Sequence, residues 1–245
     1  MLFLDLTVAT GRGLAPKRRV KVMPVQAVLF DMDGTVIEFT FDFVGAREVV
    51  IKVLRESGVP NEMLSANLLT YQMLSLGSRY LEDHGKDSSS VLDKAYDELE
   101  RLDLLSAVDP KPTLGVGDLL DSLTARSVPT MLITNSSERA ASAVLCKLNL
   151  RGKFSTVVAR RQDLRLKPHP DMILEGLSRM SIAPSQDVYF VGDSWADMRA
   201  ALLAGVSGVG YNRNVSALEG LLVAGAKAAF SDMKEVREFL THALC

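Results

Sequence analysis

Two aspartates, Asp31 and Asp33, directly follow a short apolar segment and are separated from each other by one residue. Gly34 comes next, and a glycine there allows the backbone to turn. One carboxylate of such a pair can act as a nucleophile, since carboxylates form covalent phosphoryl intermediates. The other can protonate a leaving oxygen and later activate water. The same short pattern is also typical of an acidic turn that hydrogen-bonds to its own backbone, so both interpretations stay open at this point.

A second polar group, Thr134-Asn135-Ser136, follows another apolar segment. A threonine hydroxyl and the backbone N–H groups after it can hold a phosphoryl oxygen at the start of a helix. The alternative is ordinary helix capping by Ser136 or Ser137. The motif alone does not separate phosphate binding from capping.

Lys167 lies in the segment Leu-Lys-Pro-His-Pro, whose second proline opens a predicted helix. A lysine beside carboxylates would balance their charge and bind phosphate as a point charge. A lone lysine is otherwise typical of a solvated surface. We expect His169, in the same segment, to be a surface residue rather than a base.

Asp193 and Asp197 lie in the segment Gly-Asp-Ser-Trp-Ala-Asp, which follows a further apolar segment. If a helix begins near Ser194, the two carboxylates could share one face of it. Together with Asp31 they predict a site for a hard cation, and Mg²⁺ prefers one or two carboxylates, water and a substrate phosphate. The alternative is a capping aspartate followed by an ordinary exposed one.

Five short apolar segments have the character of buried parallel strands, and they cover residues 25–30, 129–133, 155–159, 187–191 and 206–210. Helical patterns over residues 137–148, 171–180 and 196–204 alternate with them. This alternation predicts an α/β fold, a doubly wound parallel sheet of the Rossmann-like kind. Such sheets bind ligands at the carboxyl ends of their strands, so polar groups at those ends should share one site.

The stretch between the first two predicted strands differs, because residues 42–108 show helical periodicity and no convincing strand. We therefore predict three regions: an N-terminal extension over residues 1–24, a core formed by residues 25–41 and 109–245, and a helical cap over residues 42–108. Hinge motion is plausible at residues 38–40 and 109–112, where the chain crosses between core and cap. Phe39, Phe41 and Phe43 are expected to pack at the first of these hinges.

The order of these motifs resembles the haloacid dehalogenase-like (HAD) superfamily, in the branch with a helical cap inserted after the first motif. The similarity is carried by residues 30–36, 133–135, 166–168 and 191–197, and it extends from Val25 to the end of the chain. The arrangement looks most like the phosphoglycolate phosphatase-like and pyrophosphatase-like members. The resemblance implies a Mg²⁺-dependent phosphatase that hydrolyses a small phosphate monoester through an aspartyl-phosphate.

The resemblance also implies roles for the first pair of acids. Asp31 would be the nucleophile and a metal ligand. Asp33 would be the general acid/base, and its backbone carbonyl would bind Mg²⁺. Members that lack the second acid tend to be dehalogenases, so the presence of Asp33 disfavours that activity.

The remaining motif residues receive roles from the same resemblance. Thr134 and Lys167 would be catalytic, and both would bind phosphate together with Asn135. Asp193 would bind the metal, and Asp197 would support the site from behind the ligands.

Two other functions remain open on this fold: a phosphomutase, which would pass the phosphoryl group to a second hydroxyl, and a non-catalytic binding protein. An intact set of reactive groups argues against the second. The expected substrate is a small phosphorylated metabolite whose identity the motifs leave open, as they do the oligomeric state. Basic residues of the cap could meet a second anionic group on it: Arg47, Lys52, Arg55, Arg79, His84, Lys86 and Arg101.

Composition sets broader bounds. The chain has 47% hydrophobic and 24% charged residues, typical of a globular protein, and its net charge of −2 predicts neither a nucleic-acid nor a membrane partner. Its two cysteines form no close-spaced metal pair, which favours a reduced, cytoplasmic setting. Basic residues follow rather than precede the apolar start, which is the wrong order for a secretory signal. An organelle transit peptide in residues 1–22, a tail, and an initiation site at Met23 remain alternatives.

Overall fold

A computed structural model of the 245-residue chain describes residues 3–4, 20–21, 25–38, 42–65 and 68–243. The strands within these residues are β1 (Phe3–Leu4), β2 (Val20–Lys21), β3 (Ala27–Phe30), β4 (Thr130–Ser137), β5 (Thr156–Arg160), β6 (Val188–Gly192), β7 (Ser207–Tyr211) and β8 (Ala226–Phe230). Strands β3 to β8 form one parallel sheet in the order β5-β4-β3-β6-β7-β8, whereas β1 and β2 form a separate antiparallel pair. Strand β3, at the centre of the sheet, is thus flanked by β4 and β6.

Helices connect these strands. Within the same residues they are α1 (Phe43–Glu56), α2 (Thr70–Asp83), α3 (Ser88–Ser106), α4 (Val116–Ala125), α5 (Glu138–Lys147), α6 (Asp171–Arg179), α7 (Trp195–Ala204), α8 (Leu218–Val223) and α9 (Met233–His242). Short 3₁₀ turns cover Asn61–Met63, Arg151–Lys153 and Val215–Ala217. The alternation of strands and helices confirms the predicted α/β class with a doubly wound parallel sheet.

The sheet is apolar on both faces because helices cover both. Along β3, Val28 and Phe30 join one apolar cluster, and Ala27 and Leu29 join the other. Helices α4, α5 and α9 pack on the first face, and α6 and α7 pack on the second. Burial on both faces explains why β3 is a continuous apolar segment rather than an alternating one.

Helices α1, α2 and α3 form a third apolar cluster, separate from the two on the sheet. Helix α1 begins after Asp42, whose side chain accepts a hydrogen bond from the N–H of Gly45. Helix α2 packs closely on α1, since a Cβ at Gly77 would lie 2.6 Å from a methyl group of Leu54. All three helices fall inside the predicted cap, and the division of the chain into domains stays a proposal.

Two details differ from the sequence prediction. Strand β4 continues past Thr134 to Ser137, with an irregularity in its pairing with β5 between Ile133 and Ser137. Strand β8 was not predicted, because its sequence AKAAF holds a lysine and small residues, as suits the last strand of the sheet.

Several predictions fall outside the described residues. They concern Phe39, Thr40, Phe41, Cys245 and most of residues 1–24. Among the helices that the structure does describe, none combines the length and the apolar character needed to cross a bilayer.

Candidate active site

Asp31 lies at the carboxyl end of β3 and is 6% exposed. Its N–H donates a hydrogen bond of 2.9 Å to the carbonyl of Val191 in β6. The turn that follows depends on Gly34, which has a φ of 83°. A Cβ at Gly34 would lie 2.3 Å from Oδ2 of Asp193, so only a glycine lets the turn approach that carboxylate. This close approach places the carboxylate of Asp193, which follows β6, beside the turn after β3.

Asp33 lies in the same turn, and its Oδ2 accepts a hydrogen bond of 2.8 Å from the hydroxyl of Ser136. Burial raises the pKa of Asp33 to about 6, although the hydrogen bond from Ser136 acts in the opposite direction. A carboxyl group with this pKa can hold and release a proton near neutral pH. The role of Ser136 as its partner was missed from the sequence, where this serine is indistinguishable from a helix cap.

Thr134 and Asn135 lie in β4, beside β3. Thr134 is 1% exposed, and its Oγ1 accepts a hydrogen bond of 3.0 Å from the N–H of Ser136. Asn135 holds the backbone of Lys167: its Oδ1 accepts from the Lys167 N–H at 3.0 Å, and its Nδ2 donates to the Lys167 carbonyl at 3.2 Å. The side chain of Asn135 therefore positions Lys167. The hydroxyl of Thr134 is the acceptor in its bond to Ser136, so that bond leaves its proton free to be donated.

The ammonium group of Lys167 is buried among acceptors, with the residue 4% exposed. Its Nζ donates to Oδ1 of Asp31, to Oδ1 of Asp197 at 2.7 Å and to the carbonyl of Ile133 at 3.3 Å. Burial alone would lower the pKa of Lys167, but the carboxylates of Asp197 and Asp31 outweigh it and raise the pKa above its ordinary value. The lysine is thus a fixed positive charge in contact with Asp31.

Asp197 is in the first turn of α7 and is 1% exposed. Its Oδ2 accepts from the N–H of Ser194 at 3.0 Å and from the Ser194 hydroxyl at 2.6 Å, while its Oδ1 accepts from Lys167. Gly192 allows this packing, because a Cβ there would lie 2.4 Å from the Cβ of Asp197. Both carboxylate oxygens of Asp197 are therefore engaged within the protein.

Carboxylate oxygens of Asp31, Asp193 and Asp197 lie within 4.8 Å of one another. Burial, followed by repulsion from Asp197, raises the pKa of Asp193 to about 7. A divalent cation would offset this repulsion, and oxygen donors of this kind suit a hard cation. The residues therefore fit a divalent metal, with Asp31 and Asp193 better available than Asp197, whose oxygens already have partners.

A cavity of about 420 Å³ lies over these carboxylates and is lined by both the sheet and the helices α1 to α3. The inserted helices contribute Phe43, Arg47, Tyr71 and Asp103, among others. Phe43 was predicted to pack at a hinge, whereas it is 50% exposed and lines this cavity. An opening bounded by inserted helices on one side and carboxylates on the other can enclose a small ligand.

Of the basic residues that could meet a second anionic group, Arg47 lines this cavity. Others bind elsewhere: Arg55 donates to Asn61, Lys86 to the carbonyl of Ser57, and Arg101 to Glu98. Arg79 lines a neighbouring cavity of about 580 Å³.

His169 also lines this neighbouring cavity rather than the one over the carboxylates. Its ring contacts the ring of Tyr71 edge-on, with 5.8 Å between centroids. The histidine is thus half-buried, because Tyr71 of α2 packs against it, and its assignment as a surface residue rather than a base stays a prediction.

Asp103 and Arg160 also line the cavity over the carboxylates, and neither was predicted from the sequence. One signal was present: Asp103 comes four residues after Leu99, on the apolar face of α3. A charged residue on a buried face needs a partner, and sequence alone does not identify which one.

Comparison with known proteins agrees with this geometry. Residues 25–205 match the family model described as haloacid dehalogenase-like hydrolase. The phosphoglycolate phosphatase of Escherichia coli strain K12 is 28% identical over 213 residues, which cover 78% of this chain and 82% of that protein. The phosphoglycolate phosphatase of Nitrosospira multiformis is 29% identical over 185 residues, covering 75% of this chain and 81% of the relative.

Solved structures share the fold. A predicted phosphatase from Clostridium acetobutylicum has a TM-score of 0.62 at 20% identity and covers 90% of this chain and 100% of its own. A hydrolase of the HAD family from Deinococcus radiodurans R1, solved with bound phosphate and sodium, has a TM-score of 0.60 at 22% identity, with 90% and 96% covered.

Proposed function

The chain belongs to the haloacid dehalogenase-like hydrolases, and from this premise we propose that it is a Mg²⁺-dependent phosphatase that hydrolyses a small phosphate monoester through an aspartyl-phosphate on Asp31. The observation that carries the proposal is the buried contact between Lys167 and Asp31 beneath a cavity of about 420 Å³. A fixed ammonium group beside a carboxylate orients the nucleophile and offsets the charge of an incoming phosphate.

The proposed reaction has two steps. A carboxylate oxygen of Asp31 attacks phosphorus, the ester P–O bond breaks, and the leaving oxygen takes a proton from Asp33. Water then attacks the phosphorus of the aspartyl-phosphate and gives a proton to Asp33, while the bond between phosphorus and Asp31 breaks. The pKa of about 6 for Asp33 supports both roles, since the group must be protonated in one step and ionised in the next.

Charge neutralisation is the main demand of phosphoryl transfer. Lys167 and the hydroxyl of Thr134 would bind phosphoryl oxygens, and Asn135 would keep Lys167 in place through its backbone. Asp31, Asp193 and the backbone carbonyl of Asp33 would hold Mg²⁺, which supplies further neutralisation of the phosphoryl charge when bound. The role of Asp197 in this arrangement is to hold Lys167.

The proposed substrate class is a small phosphate ester with a second anionic group, of which phosphoglycolate is the simplest example. Relatives at 28% and 29% identity carry the name phosphoglycolate phosphatase. Arg47 lines the cavity from α1 and would meet the second anion. The size of the cavity also suits a metabolite rather than a macromolecule.

The test is phosphate release from a panel of phosphorylated metabolites, phosphoglycolate included, with and without Mg²⁺. Asp187→Asn is a matched control for Asp31→Asn, because Asp187 lies at the opposite end of the strands. We expect Mg²⁺-dependent release by the wild type and by Asp187→Asn, and none by Asp31→Asn. Release in excess chelator, or wild-type rates in Asp31→Asn, would refute the proposal.

A further inference from the structure

A buried ion pair joins the inserted helices to the sheet beside the active site. Asp103 of α3 accepts from Arg160, the last residue of β5, with 2.7 Å between Oδ2 and the guanidinium. The side chains of Arg160 and Asp103 are only 6% and 1% exposed. Tyr96, also in α3, lies under the guanidinium, with 5.6 Å from the carbon at its centre to the ring centroid. Both side chains of the pair are thus largely buried.

Both members of the pair also hold the end of β4, residues 134–137. A second nitrogen of Arg160 donates to the carbonyl of Asn135 at 3.0 Å. Oδ2 of Asp103 accepts from the N–H of Ser137 at 2.9 Å. Since the side chain of Asn135 holds the backbone of Lys167, a continuous chain of hydrogen bonds runs from α3 to Lys167.

Stability alone does not explain a polar pair at this position. Burying two charges removes their hydration, and an apolar pair of similar size is often as stable or more so. The other oxygen of Asp103, Oδ1, is buried and has no hydrogen-bond partner among the described residues, which adds to the cost. What an apolar pair would lack is the set of directed bonds to Asn135 and Ser137.

We propose that Arg160 is a positioning residue which, together with Asp103, fixes the end of β4 that holds Lys167 and couples this strand end to helix α3. The fork of the guanidinium is essential to this role, because its two nitrogens reach Asp103 and Asn135 at the same time. A lysine has a single donor group and cannot reproduce this geometry. The effect on catalysis rests on the proposed phosphatase function, whereas the effect on the end of β4 does not.

Two substitutions and one control separate positioning from general packing. Arg160→Lys keeps a charge for Asp103 but loses the fork, and Arg160→Met removes both. The control is Arg139→Met, which breaks another ion pair to α3, of 2.6 Å between Arg139 of α5 and Glu100. Arg139 is 74% exposed, so its loss leaves no buried charge.

We expect Arg160→Lys to lower kcat on an aryl phosphate by about tenfold or more, since small displacements of catalytic groups are costly, with little change in KM or melting temperature. Arg160→Met should lower kcat further, and Arg139→Met should match the wild type. Hydrogen exchange supplies a readout that needs no activity: amides of residues 134–137 should exchange faster in Arg160→Lys than in Arg139→Met.

Wild-type kcat together with unchanged exchange in Arg160→Lys would overturn the inference, even if Arg160→Met fails to fold. A wild type that releases no phosphate from any ester would instead refute the proposed function, and the exchange rates would still decide whether Arg160 fixes the end of β4.

Discussion

Replacing Gly34 with alanine tests the close approach between the turn after β3 and Asp193. Gly34 has a φ of 83°, and a left-handed backbone costs a residue with a Cβ about 1–2 kcal/mol. The new Cβ would lie 2.3 Å from Oδ2 of Asp193, whereas ordinary contact begins at 3.4 Å. The carboxylate of Asp193 must therefore move away from the turn by about 1 Å. A displacement of this size in a catalytic group can lower the rate by about 10²-fold.

Gly205→Ala is the matched control, because Gly205 has a φ of 75° and a Cβ there would meet nothing within 4 Å. Each variant should lose about 1–2 kcal/mol of unfolding free energy through the left-handed backbone alone, and Gly34→Ala should lose more through its contact with Asp193, as measured by urea denaturation. Gly34→Ala alone should also lose about 10²-fold in kcat/KM and need more Mg²⁺ for half-maximal activity. Equal activity in the two variants would show that the approach of Asp193 to the turn does not matter for the reaction.

Three further predictions address the proposed roles. Asp33→Asn should lower kcat by about 10²–10⁴-fold, more for a poor leaving group than for an aryl phosphate; equal losses on both would remove Asp33 from the acid role. Asp193→Ala should abolish activity or raise the Mg²⁺ concentration needed for half-maximal activity, measured by titrating activity with Mg²⁺ and with Asp187→Ala as the control. An unchanged titration curve would exclude Asp193 as a ligand. Arg47→Glu should lower kcat/KM for phosphoglycolate more than for an aryl phosphate, whereas Arg101→Glu, outside the cavity, should leave kcat/KM for both substrates unchanged. Equal losses of kcat/KM on the two substrates in Arg47→Glu would contradict its role in selectivity.

The fold and the convergence of the motifs could be predicted from sequence for one physical reason. Buried parallel strands are continuous apolar segments, and their carboxyl ends meet at one edge of the sheet. Asp31, Thr134 and Asp193 each follow such a segment or lie at its end, so their proximity follows from topology. Lys167 and Asp197 join them through contacts that the spacing alone did not specify.

The rest depends on contacts between residues far apart in the chain. Ser136 bonds to Asp33 across 103 positions, and Asp103 bonds to Arg160 across 57. No local pattern records such pairs, because each residue alone is typical of a cap or of a charged surface. For the same reason the sequence named many basic residues in the predicted cap, whereas helix packing determines that Arg47 is the one of them lining the cavity.

The most direct test of the central claim is to locate the phosphoryl group on the protein. Asp33→Asn, mixed with a ³²P-labelled aryl phosphate and quenched in acid within one turnover, should carry label because loss of the base slows hydrolysis of the intermediate. Digestion and mass spectrometry should place the phosphoryl group on Asp31, and the double variant with Asp31→Asn should carry none. Two results would contradict an aspartyl-phosphate at Asp31. One is that the wild type turns over substrate while Asp33→Asn carries no label at any quench time. The other is that the double variant with Asp31→Asn still carries label.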